Sequence, residues 1–350
     1  MDSKIIIRNV NEAYVGIVCE DGVAYELREN FTFQVPGYQF TPQYKARLWD
    51  GKIRLFDIRT KQLYRGLVPY IAKFCEERNY EWDYENEDFD EEFSLAEAKE
   101  FVEKLRPKHA PRDYQLDAFV HAIRTRRSLL LSPTASGKSL IIYLLSRFLK
   151  HRGLKRGLII VPTVSLVEQL AGDFKEYSET NGWDVAANVH KVYQGQDKDT
   201  DKFLTISTWQ SLNKMPKKWF AQFDFVIGDE AHQFKAKSLT DIMTGLSNAK
   251  YRIGTTGTLD GTKTHRLVLE GLFGSVRKVI TTKELMDAKH LAEFNIKCLL
   301  LRHGESICQA SKTFTYQQEI EYLKSIDDIM IEKLKNSRNL FDAEAPARRP

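Results

Sequence analysis

The stretch LSPTASGKSL, residues 131–140, limits what this chain can be more than any other. It follows a short apolar run, SLLLS, and leads into LIIYLLSRFLK, long enough for about three helical turns. A buried strand, a loop of small residues and Gly-Lys-Ser at a helix start form the setting of a phosphate-binding loop. There the backbone of Pro133, Thr134, Ala135, Ser136 and Gly137 surrounds phosphate oxygens together with the helix N-terminus. Lys138 supplies a point charge and the Ser139 hydroxyl a ligand for Mg2+. Ser132 replaces the first Gly of the strict G-x-x-x-x-G-K-[ST] pattern, so the loop alone leaves a chance Gly-Lys-Ser open.

The second element is FVIGDEAH, an apolar run that delivers Asp229 and Glu230 to a strand end. An isolated Asp-Glu after a strand is commonly a solvated turn. Downstream of a phosphate loop it predicts ATP hydrolysis: Asp229 holds Mg2+ through its water shell and Glu230 orients the attacking water. Three further stretches fit the same plan, each weak alone. PRDYQLDAF offers Gln115 and Arg112 for the adenine edge, GLIIVPTVSLVEQL sets Thr163 at a strand end, and RIGTTGTL sets Thr256 and Thr258 after another.

From Arg112 to about Ile280 short apolar runs alternate with amphipathic stretches, which predicts an α/β fold: a mainly parallel sheet with helices on both faces. Ligands of such sheets sit at the carboxyl ends of the strands, where the polar residues above fall. The 350 residues suit two or three domains, with expected divisions at 1–107, 108–282 and 283–350, and there is no internal repeat. The last stretch predicts a short helix and a strand within TTKELMDAKHLAEFNIKCLLLRH, a helix over 316–341 and a frayed tail. Four scattered cysteines lack metal or disulfide spacing, and no apolar run approaches a membrane span or signal peptide; a cytoplasmic protein is expected.

The segment before Pro107 is strand-like and aromatic. KARLWDGKIRLF predicts a hairpin with its turn at Asp50-Gly51, both turn positions needing positive φ. The net charge of +4 is too small to argue for nucleic acid, but nine Lys/Arg fall between Tyr38 and Arg78 against four acids. With Tyr44 and Trp49 interleaved, Lys45, Arg47, Lys52 and Arg54 can meet phosphates and stack on bases; an ordinary strand pair with solvated charges is the alternative. The acidic run EWDYENEDFDEEF reads as a solvated linker, with repulsion that aims DNA at the hairpin as the alternative, and SLAEAKEFVEKLRP as a helix with a Ser94–Glu97 capping box, ended by Pro107.

In combination, the Gln115 motif, SPTASGKS, VPT-x-x-L-x-x-Q, DEAH and TGT resemble the first, RecA-like motor domain of superfamily 2 helicases over roughly residues 112–280. The resemblance implies that Gln115 contacts adenine and that His232, Thr256 and Thr258 link the nucleotide state to the nucleic-acid strand. It places Thr163 and Thr208 on the sugar-phosphate backbone. TPQYKARLWDGKIRLFD followed by GLVPYIAKFC is similar to the small α+β N-terminal domain of phage UvsW-type recombination helicases, as KTFTYQQEI is to the start of their second motor domain. That implies a partner of forked or Holliday-junction DNA, no membrane, and an oligomeric state left open.

No G-R-x-x-R or comparable arginine motif follows Thr258. A missing arginine finger costs about 10³–10⁵ in rate, or about 4–7 kcal/mol. The chain is therefore expected to be a truncated helicase and a poor ATPase by itself. A restriction or repair translocase, an RNA helicase and a binding module with an inactive ATP site are the alternatives.

Overall fold

Alternation builds the first sheet. On β1 (Ile5–Asn9) and β2 (Tyr14–Val18), Ile5, Ile7, Val15 and Ile17 turn inward under α1 (Asp21–Asn30). The computed structural model describes residues 4–85, 90–193, 197–213, 215–233, 236–259 and 263–292, with isolated positions between 314 and 329. Met1–Leu291 is one compact unit and Ala292–Pro350 a second. The expected strand in NIKCLLLRH lies outside the described residues; the helix over 316–341 and the stretch KTFTYQQEI lie largely outside them.

The chain continues through β3 (Thr32–Gln34), α2 (Pro42–Lys45), β4 (Lys52–Arg54), β5 (Gln62–Tyr64), α3 (Val68–Arg78) and β6 (Trp82–Glu85). The sheet order is β5-β2-β1-β6, with β6 parallel to β1 and the other pairs antiparallel. The expected hairpin at Asp50-Gly51 does not form. Lys45 closes α2, and β4 pairs instead with the upstream β3, Phe33 opposite Ile53. Thr41 and Pro42 decide this: the Thr41 hydroxyl accepts from the Tyr44 amide and Pro42 takes the first helical position, which outweighs the alternation. Gly51 has φ +77° but Asp50 is not among the positive-φ residues, so a turn with both positions positive is absent.

The acidic run is not a solvated linker at either described flank. Trp82–Glu85 is a sheet strand, and the Glu91 carboxylate, 11% exposed, meets Arg126 at 2.7 Å, Arg152 at 2.8 Å and the Tyr251 hydroxyl. Burial opposes its ionisation, but Tyr251 and the two guanidiniums outweigh it and hold Glu91 below the usual carboxylate range. Then α4 (Leu95–Leu105) starts on the expected Ser94–Glu97 capping box and stops at Arg106 before Pro107.

The second sheet follows α5 (Asp113–Thr125). Its elements are β7 (Arg127–Leu131), α6 (Lys138–His151), β8 (Gly157–Val161), α7 (Val164–Ser178), α8 (Val185–Asn188), β9 (Val189–Val192) and β10 (Leu204–Thr208). Two short helices, α9 (Trp209–Leu212) and α10 (Lys217–Phe220), lead to β11 (Phe225–Gly228), α11 (Ala236–Gly245) and β12 (Tyr251–Thr256). The unit closes with α12 (Lys263–Phe273), β13 (Val276–Lys278) and α13 (Thr282–Asp287). All seven strands are parallel in the order β13-β7-β12-β11-β8-β10-β9. Every residue of β8, β10, β11 and β12 is buried, as expected for strands covered on both faces. Leu129, Leu158 and Val226 face the N-terminal domain, α11 and α12; Leu130, Ile159 and Ile227 face α4–α7.

The N-terminal domain is built onto the motor sheet. Gly66 lies so close to α12 that a Cβ there would overlap the Glu270 carbonyl oxygen. Tyr70 donates to the Glu270 carboxylate, which Arg266 meets at 3.0 Å. Glu12 accepts from Arg65 at 2.9 Å and from Arg127 at the start of β7. Beside them Arg252, fully buried, donates to the carbonyls of Ala249, Met243 and Leu246, where α11 ends.

Candidate nucleotide site and nucleic-acid interface

Strand order brings the dispersed polar residues to one edge. The loop after β7, Pro162-Thr163 after β8, Thr208 on β10, Asp229-Glu230 after β11 and Thr256 on β12 all lie at carboxyl ends of neighbouring strands. Ser132 is tied to β12 through its amide and the Thr256 carbonyl at 2.8 Å. Its hydroxyl meets that of Ser136 at 2.6 Å, and Ser136 also bonds the Pro133 carbonyl. Here Ser132 braces the loop from within, where the strict pattern has Gly.

Ala135 and Gly137 have φ of +65° and +76°, which curls the loop before α6. At Gly137 a Cβ would also run into the Gln115 amide. Gln115 is 3% exposed: its oxygen accepts from the Arg112 amide at 2.8 Å, and its nitrogen donates to the Ser136 carbonyl at 2.9 Å. Tyr114 donates to the same carbonyl at 2.9 Å, and Arg112 to the Tyr114 hydroxyl. Thr134 stands exposed at the loop tip.

Lys138 Nζ reaches the Glu230 carboxylate at 3.0 Å, joining the two sequence motifs. Glu230 has φ +48°, and its amide donates to Asp229 Oδ1 at 3.0 Å. Thr255 donates to the same oxygen at 2.6 Å. Burial pushes the Asp229 carboxyl up, with Thr255 acting against it. His232 Nδ1 lies 2.6 Å from Thr256 Oγ1, which bonds the Thr258 carbonyl at 2.7 Å. A continuous chain thus runs from Lys138 through Glu230 and His232, 3.4 Å apart, to Thr256 and Thr258.

These residues fit a nucleoside triphosphate with Mg2+. The α6 N-terminus has no side-chain cap, and Asp229, a half-buried carboxylate, spends one oxygen on both of its side-chain hydrogen bonds among the described residues. Ser139 and Asp229, the expected metal residues, make no direct hydrogen bond among the described residues. The Ser139 hydroxyl meets the Tyr177 hydroxyl at 2.8 Å. Thr163 and Thr208 cap α7 and α9; Thr163 is exposed, while Thr208 is 3% exposed and shares its hydroxyl with Ser211.

Sequence reasoning missed Tyr114, Thr255 and Tyr177. Thr255 is found only once β11 and β12 are known to be neighbours in the register Gly228 opposite Gly254.

The nine basic residues between Tyr38 and Arg78 separate into two sets. Arg54 pairs with Asp50, Arg59 with Asp57, Lys61 with Asp21, Lys73 with Glu77 and Arg78 with Glu26, while Arg65 belongs to the contact with Glu12. Lys45, Arg47 and Lys52 are exposed and have no ion pair among the described residues. With Tyr44, Leu48 and Trp49, Lys45 and Arg47 line one surface concavity. Leu48 is 82% exposed and nearby Phe40 73%. The Trp49 indole donates to the Lys52 carbonyl at 2.9 Å, which fixes its ring.

A parallel sheet with this motif chain along one edge is the RecA-like motor fold of helicases. The family model described as Type III restriction enzyme, res subunit, matches residues 108–261, and that of DNA helicase UvsW, N-terminal, matches residues 4–84. The ATP-dependent DNA helicase uvsW of Enterobacteria phage T4 is 35% identical over 337 residues, 93% of this chain and 66% of that protein. A crystal structure of the UvsW helicase from bacteriophage T4 superposes with a TM-score of 0.71 at 35% identity, covering 79% of this chain and 99% of that one. A second T4 UvsW structure gives 0.73 at 33% identity, over 92% of this chain and 64% of that one. The chain belongs to the UvsW helicase family. It spans about two thirds of the length of the T4 protein (66%) and 41% of the DNA 3'-5' translocase XPB2 of Sulfurisphaera tokodaii, to which it is 25% identical over 195 residues.

Proposed function

We propose that this chain binds ATP and DNA as a helicase that acts on branched DNA. The observation that carries the reading is the chain of contacts from Lys138 to Glu230 and from His232 to Thr256, because it joins the phosphate loop to the strand end that follows it. Arg112 and Gln115 border the adenine, residues 133–138 hold the phosphates, and Ser139 and Asp229 serve Mg2+. Bound Mg2+ neutralises charge on the phosphates and draws electron density from the bond that breaks. Glu230 orients the water, and His232, Thr256 and Thr258 pass the nucleotide state on.

On this reading residues 1–107 hold DNA and 108–282 form the motor. Lys45, Arg47 and Lys52 neutralise phosphates while Trp49 offers a base-stacking face; Arg54 belongs to the same patch while paired with Asp50. Thr163 and Thr208 lie toward the sugar-phosphate backbone. The restriction-subunit likeness covers only the motor segment, whereas residues 4–84 match the UvsW N-terminal family, which favours forks and junctions over other motor substrates.

The test is binding of a fluorescent ATP analogue and ATP hydrolysis, each with and without forked DNA, beside Lys138→Ala. Analogue binding and a weak hydrolysis that are both lost in Lys138→Ala, with a preference for forks over linear duplex that survives added salt, are expected. Hydrolysis unchanged by Lys138→Ala, or a steep salt slope with no fork preference, overturns it.

A further inference from the structure

Thr255 directly precedes Thr256 on β12, but its hydroxyl goes to the Asp229 carboxylate instead of the His232 chain. It is 1% exposed and donates to Asp229 Oδ1 at 2.6 Å, within the range of a hydroxyl bonded to an ionised carboxylate. The Glu230 amide donates to the same oxygen at 3.0 Å, and Oδ2 makes no hydrogen bond among the described residues. The parallel register, Gly228 opposite Gly254, is what brings Thr255 beside Asp229. On the other side the end of β12 is tied to the phosphate loop, where the Thr256 carbonyl accepts from the Ser132 amide at 2.8 Å.

The terminal torsion of an aspartate is soft, so a carboxylate keeps one orientation only where its partners hold it. Two donors on Oδ1 fix that torsion and leave Oδ2 for the water shell of a cation. Glu230 is the chain neighbour of Asp229, so of the two donors only Thr255 ties the carboxylate to another strand. We propose that Thr255 is a positioning residue that orients Asp229 and thereby sets the Mg2+ affinity of the nucleotide site. This rests on the assignment of Asp229 to Mg2+ above. Valine has the shape of threonine without the hydroxyl, which separates the hydrogen bond from the packing.

The experiment is a Mg2+ titration of mant-ATP binding to the full chain, for wild type, Thr255→Val, Thr255→Ser and Asp229→Asn, repeated in EDTA. Thr255→Val raises the half-saturating Mg2+ concentration about tenfold. Thr255→Ser, which keeps the hydroxyl, stays near wild type, and neither variant changes binding in EDTA. Thr255→Val at the wild-type half-saturation overturns the inference. So does an equal loss with and without Mg2+, or Thr255→Ser as impaired as Thr255→Val, because each marks a packing role. If Asp229→Asn itself leaves the Mg2+ dependence unchanged, the assignment of Asp229 fails and the inference falls with it.

Discussion

Glu12 is the carboxylate on which the N-terminal domain and the motor sheet are joined. It faces Arg65, 8% exposed, and Arg127, 13% exposed, and Arg252 lies fully buried beside them. Burial and the charge of Arg65 push the Arg127 guanidinium down to about 10, and burial with the charge of Arg127 lowers Arg252 well below its ordinary range. Arg127 and Arg252 each keep one buried nitrogen with no partner among the described residues. Glu12→Gln keeps the shape and removes the charge that meets Arg127 and Arg65. Removing one member of a buried pair costs about 3–5 kcal/mol, and the second arginine puts this site at the upper end. With a slope of roughly 3 kcal/mol per molar urea, the unfolding midpoint falls by about 1.5 M. A Glu12→Gln loss below about 1 kcal/mol, the scale of a surface ion pair, refutes the reasoning.

Two further outcomes follow from the site. Burial raises the Asp229 carboxyl, so the folded state holds its proton more tightly than the unfolded chain does. That group's contribution to stability is present below its unfolded pKa and is lost as pH rises through the folded one. Asp229→Asn therefore raises the metal-free melting temperature at neutral pH, by about 2–4 °C per kcal/mol relieved, while abolishing ATP hydrolysis; a lowered temperature refutes this. Replacing Lys45, Arg47 and Lys52 together by Ala flattens the salt dependence of DNA binding by about 0.9 per lost phosphate contact. An unchanged slope in anisotropy titrations removes that patch from the DNA interface.

The strands and the phosphate loop were legible because their signals are local. SLLLS, GLIIV and FVIG are buried apolar runs, and the loop announces itself by Gly137, Lys138 and Ser139. The capping box at Ser94 and Glu97 is likewise written within four residues. The hairpin misled because alternation around Asp50-Gly51 competes with an equally local signal, Thr41-Pro42, which starts a helix. The acidic run misled because Glu91 finds its partners at Arg126, Arg152 and Tyr251.

By itself the sequence determined which polar residues follow the apolar runs and that strands carry them to an edge. Tertiary structure alone decided which of them meet. Lys138 pairs with Glu230, and Asp229 with Thr255, because β7, β12 and β11 are neighbours, an order that no local period encodes. It also decided which charges remain for a partner: among the basic N-terminal residues, Arg65 is absorbed by Glu12, whereas Lys45, Arg47 and Lys52 stay exposed. Charge is set by composition, but whether a charge is spent on the fold depends on which carboxylate the packing brings within 3–4 Å.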